Sequence, residues 1–96
     1  MYAAVRRYEG ITDDAKAGRM VGESFVPLLE QIPGFKAYYW IDAGNGVMAS
    51  LSLFEDRTGA DKSVEVAHDW VAKNAPGLFP NPPRVTEGEV VASATA

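Results

Sequence analysis

The chain has 96 residues, 47% of them hydrophobic, with 13 acidic residues against nine basic ones and a formal net charge of −4. That length suits a single domain over residues 1–96, and without any low-complexity run a packed core is expected and a disordered chain is not. A pI near 4.8 argues against nucleic acid as a partner, the lack of cysteine excludes disulfides, thiolate zinc sites and a cysteine nucleophile, and no apolar run reaches membrane-spanning length.

The segment MYAAVRRYEG has no apolar leader-like stretch, so a cytoplasmic protein without membrane contact is expected. Tyr2 to Tyr8 reads as a first strand, closed by Glu9-Gly10. Asp13-Asp14 then opens a helix, because carboxylates suit the free amides of a first turn. Val21, Phe25, Leu28, Leu29 and Ile32 form its apolar stripe. Gly18, Gly22 and Pro27 weaken it, and Pro27 cannot bond back to Glu23, which predicts a kink or break there.

Behind Pro33-Gly34 come strands over Phe35 to Asp42 and Val47 to Phe54, joined by the hairpin sequence Ala43-Gly44-Asn45-Gly46. A three-residue loop, Gly44-Asn45-Gly46, places Phe35, Ala37, Tyr39 and Ile41 on one face with Val47, Ala49, Leu51 and Leu53. The opposite face collects Lys36, Tyr38, Trp40 and Asp42 with Met48, Ser50, Ser52 and Phe54. A second helix runs over about Ala60 to Asn74, with Ala60, Val64, Ala67, Val71 and Ala75 in one stripe and Trp70 at its edge. Pro76-Gly77 ends it. Leu78 to Pro83 is a proline-stiffened connection able to pin Leu78 and Phe79 over an opening. Arg84 to Ala92 is the last strand, with a bulge at Gly88, and residues 93–96 form a loose tail.

The order strand, helix, strand, strand, helix, strand predicts an α+β, ferredoxin-like βαββαβ fold: a four-stranded antiparallel sheet with two helices on one face. The aliphatic face, Leu51 included, is expected under the helices. The aromatic face, with Arg6, Tyr38, Trp40 and Met48, is then left open and predicts a homodimer through the sheet, since such residues are enriched in interface cores.

Arg6 to Gly10 (RRYEG), Ile32 to Phe35 (IPGF), the aromatic hairpin and the Phe54-Glu55-Asp56 step resemble the dimeric α/β-barrel superfamily, and within it the antibiotic-biosynthesis-monooxygenase-like branch. The resemblance implies two ferredoxin-like protomers packed sheet to sheet, each with a pocket between sheet and helices. It also implies cofactor-independent oxidation of a planar aromatic substrate, with no cofactor held. Haem-degrading relatives use an asparagine on the first strand, a tryptophan after the third and a histidine on the second helix. Here Arg6 or Arg7 and Glu55-Asp56-Arg57 occupy the first two places and only His68 matches, so haem chemistry is not expected.

His68 is the only imidazole and flanks the apolar stripe of its helix, which makes it the candidate acid-base group. Arg6, Tyr38, Trp40, Met48, Trp70 and Phe79 are the candidate pocket or interface residues, and Arg6 could stack on a ring or meet an acidic ligand. Ser24 lacks a nucleophile elbow, and Glu65-His68 is too sparse a pair for a metal site. The alternative to an enzyme is a dimeric module that binds a small hydrophobic ligand or serves as a scaffold.

Overall fold

In the computed structural model, which describes residues 1–96, each element begins where the sequence supplies a cap or a break. Strand β1 covers Tyr2–Tyr8. Helix α1, Asp14–Met20, starts behind Asp13, whose carboxylate accepts a hydrogen bond from the Lys16 amide at 3.0 Å. It runs into a π-helical turn, Val21–Phe25, and on into α2, Val26–Glu30. The predicted break at Pro27 is absent. Instead the Val26 amide bonds the Val21 carbonyl five residues back, and Pro27 falls in the first turn of α2, where a missing amide costs little.

Strands β2, Phe35–Gly44, and β3, Val47–Phe54, follow. Helix α3, Arg57–Asn74, begins three residues earlier than the apolar stripe suggests, because Asp56 caps it through the Gly59 amide at 3.3 Å. Strand β4, Arg84–Glu89, is shorter than predicted. The four strands form one antiparallel sheet in the order β2-β3-β1-β4, and the helices lie on one face, as the ferredoxin-like reading requires.

The hairpin register pairs Tyr39 with Leu51 and Trp40 with Ser50, so the two predicted face sets hold between Ala37 and Asp42. Asn45 and Gly46, both at positive φ, make a two-residue turn, and a bulge at Ala43 supplies the extra residue that the three-residue loop had assumed. A second irregularity at Lys36 turns Phe35 onto the face of Phe54, 5.8 Å between ring centroids. Gly88 pairs regularly with Ala3 and is not a bulge.

The faces themselves are the reverse of the prediction. Ala4, Arg6, Tyr8, Met48, Ser50, Ser52 and Phe54 are buried beneath the helices, with Tyr38 and Trp40 packed against that core. The open face carries Val5, Ala37, Tyr39, Ile41, Ala49, Leu51 and Leu53; Tyr39 is 58% and Ile41 49% exposed. Hence Arg6, Tyr38 and Trp40 cannot form a sheet-to-sheet interface, and Leu51 is not a core residue while Ser50 is. The physical reason is that counting aliphatic carbons assumes one buried face. Here α1, α2 and α3 bring their own bulk, Val21, Phe25, Leu29 and Trp70, and leave room on the sheet for serine, alanine and one arginine. Each such fully buried apolar side chain stabilises the fold by about 1.5–3 kcal/mol.

Candidate ligand-binding cleft

Because β1 alternates, Arg6 and Tyr8 both project under the helices, and the regular β1–β4 register sets Val85 beside Arg6. Helix α3 crosses above with Val64, Ala67, His68 and Val71. The connection behind α3 closes the end with Phe79 and its prolines. These groups enclose a cleft of about 410 Å³ that opens to solvent on one side, in the range of small-molecule sites. Asn81 holds the connection in place, donating a 3.1 Å hydrogen bond from its side-chain amide to the Glu9 carbonyl.

Behind the cleft the aromatic rings form a continuous series. Tyr8 lies 5.1 Å from Phe79 and 5.7 Å from Trp40, Phe79 lies 6.2 Å from Trp70, and Phe25 lies 5.4 Å from Trp70 and 5.7 Å from Tyr38. The π-helical turn explains how Phe25 reaches this position, since its wide turn carries Phe25 inward while Ser24 accepts a 2.9 Å hydrogen bond from the Trp70 indole. Ser24 thus orients an aromatic wall and has no nucleophilic setting.

The electrostatic centre is Arg6. It is 1% exposed, its guanidinium carbon lies 5.8 Å from the centroid of the Phe25 ring, and none of its three nitrogens has a hydrogen-bond partner. Its row across the sheet is Trp40, Ser50, Arg6, Val85, and the Trp40 indole nitrogen and the Ser50 hydroxyl are likewise buried and unpartnered, as is the neighbouring Ser52 hydroxyl. The four ion pairs of the chain, among them Lys36–Glu55 and Arg57–Asp61, lie on exposed side chains and none includes Arg6. Burial pushes the Tyr38 hydroxyl up to about 12 and raises that of Tyr8, in both cases against the pull of the Arg6 charge. Both tyrosines therefore keep their protons at neutral pH, and each hydroxyl can donate as well as accept.

Of the residues singled out from the sequence, Arg6, His68 and Phe79 line the cleft itself. Tyr38, Trp40 and Trp70 surround a small void directly behind it, and Met48 is buried under Tyr8 without reaching either space. His68 is exposed at the rim, with no carboxylate bonded to it. No group of three histidine or acidic side chains could hold a metal ion. Tyr8, Phe25, Ser50 and Ser52 were placed on their elements by the sequence but not singled out as site residues. The signal available for them was Arg6 itself, a long cation in register with a serine, which leaves space that a ring or a ligand must fill.

No protein-family model and no curated protein matches the sequence. Solved structures do match. A protein of unknown function from Nitrosomonas europaea is 22% identical, with a TM-score of 0.79 over 99% of this chain and 93% of that one. A monooxygenase of Streptomyces coelicolor, in complex with the ligand nanaomycin D, is 13% identical, with a TM-score of 0.75 over 99% of this chain and 91% of that one. An antibiotic biosynthesis monooxygenase is 15% identical, with a TM-score of 0.70 over 96% of this chain and all of the other. At these identities the likeness concerns the backbone, and the chain has the ferredoxin-like fold of the antibiotic-biosynthesis-monooxygenase-like proteins.

Proposed function

We propose that the cleft between α3 and the sheet binds a planar aromatic molecule and that the chain, as a homodimer, oxidises it with molecular oxygen and no cofactor. The observation that carries this reading is the cleft itself: a small-molecule-sized space with an aromatic and aliphatic lining, placed between sheet and helices in the fold of the monooxygenase that was solved with nanaomycin D. A lining that joins the Tyr8 and Phe79 rings to the Val64 and Val71 side chains suits an aromatic ligand, because ring contacts and apolar burial act together there.

The corresponding chemistry balances without a further reductant. An activated ring methylene, flanked by phenolic rings, loses a proton; the carbanion gives its electrons to oxygen; one oxygen atom becomes the ring carbonyl and the other leaves as water. The first proton is assigned to His68, the only imidazole, because it lines the cleft.

The test is oxygen uptake with 1,8-dihydroxyanthrone as substrate, comparing the wild-type chain with Ala72→Phe, which fills the cleft from an exposed position of α3. Uptake above the buffer rate that Ala72→Phe abolishes supports catalysis. Binding without accelerated uptake favours the second reading, a non-catalytic module for a small aromatic ligand. That reading draws on the setting of His68, which has no second acid or base bonded to it. The open apolar sheet face favours the homodimer.

A further inference from the structure

A buried guanidinium whose three nitrogens make no hydrogen bond is an incomplete arrangement, since an unpaired charge in an apolar surround is costly to hold. No carboxylate lies within ion-pair distance of Arg6, although Glu87 on β4 feels its charge. Tyr8 and Tyr38 flank Arg6, and their phenol oxygens can accept from it, but no hydrogen bond of good geometry forms and neither carries a charge to balance the guanidinium; the chain's ion pairs lie elsewhere. A second copy docked on the open sheet face could not supply a counter-ion either, because Arg6 projects from the opposite face.

The Trp40 indole and the Ser50 and Ser52 hydroxyls also lack partners, and Ser50 is the cross-strand neighbour of Arg6. Arg6 is among the residues that line the cleft described above. We infer that the aromatic ligand carries an ionised oxygen, a phenolate, enolate or carboxylate, and that this group enters the inner end of the cleft to pair with the Arg6 guanidinium. This inference rests on reading the cleft as an aromatic-ligand site and adds the charge of the ligand to it. The long arginine stem lets the guanidinium turn toward the cleft, and its planar fork suits two oxygen acceptors at once. Arg6 is then a specificity residue: it favours the anionic form of a ligand over its neutral analogue, because only the anion balances the buried positive charge as well as accepting its hydrogen bonds.

The experiment uses two probes of matched shape, 2-hydroxy-1,4-naphthoquinone, a vinylogous acid ionised at neutral pH, and its 2-methoxy ether, which is not. Calorimetric titration of the wild-type chain is expected to show at least tenfold tighter binding of the hydroxy compound. Arg6→Met is expected to lose that preference while still binding the ether, and Arg6→Lys to retain part of it. Equal binding of both probes by the wild-type chain overturns the inference and leaves the aromatic site standing, as does a preference that survives in Arg6→Met. Binding of neither probe overturns both. Should Arg6→Met fail to fold, the wild-type comparison alone decides.

Discussion

At the scale of single residues, Arg6 shows function set against stability. A methionine at position 6 keeps most of the volume and removes an unpaired buried charge, so Arg6→Met is expected to stabilise the free protein by on the order of 1–4 kcal/mol. For a domain of this length about 1 kcal/mol corresponds to roughly 4–8 °C, which a thermal melt resolves; an unchanged or lower midpoint would show that the cation is satisfied in the ligand-free fold. The tyrosines beside it make a separate prediction. Tyr38, with its pKa pushed up to about 12 by burial, and Tyr8, shifted in the same direction, keep their protons in the fold at pH values where an unfolded tyrosine has lost its own. Stability is therefore held below about pH 10 and lost as the pH rises toward about 12, by roughly 2 kcal/mol for Tyr38. Denaturant midpoints measured from pH 9 to 12 should fall for the wild-type chain and flatten for Tyr38→Phe.

At the scale of elements, what decides α3 is its contact with β3. A Cβ added at Gly59 would stand 2.7 Å from a ring carbon of Phe54, a residue without exposure, so the helix start can approach the sheet only with glycine there. Gly59→Ala is expected to cost about 1–3 kcal/mol by overpacking, although alanine is the better helix former. A denaturation midpoint equal to wild type would mean that Phe54 moves aside freely. The same contact argument reverses the ranking that sequence alone had suggested for β3. Ser50 is buried in row with Arg6 and Trp40, while Leu51 borders the open face, so a bulky Ser50→Leu should disturb the monomer core more than Leu51→Ala does.

At the scale of the whole molecule, element order and hairpin pairing were legible in the sequence because caps, Pro-Gly breaks and alternation are local signals. The identity of the covered face was not. Both faces of the sheet are apolar enough to be buried, and alternation says which residues share a face without saying which face the helices take. The polar residues of the covered face suffered most from this, since Arg6, Ser50 and Ser52 resemble a solvated face until α3 is seen above them. The inversion moves the expected dimer contact and does not remove it. Val5 at 39%, Tyr39 at 58% and Ile41 at 49% exposure lie on one continuous face with Ala49, Leu51 and Leu53, an apolar area uncommon on a monomer. A symmetric pairing of two such faces buries each against its copy. If the homodimer forms there, Ile41→Lys combined with Tyr39→Lys should yield a folded monomer in analytical ultracentrifugation, with the cleft and its ligand preference intact on the other side of the sheet. Trp40→Asp, by contrast, should unfold the chain instead of dissociating it, because Trp40 packs into the core against Tyr8 and Phe79. A wild-type chain that sediments as a monomer at micromolar concentration would leave the apolar face to another partner.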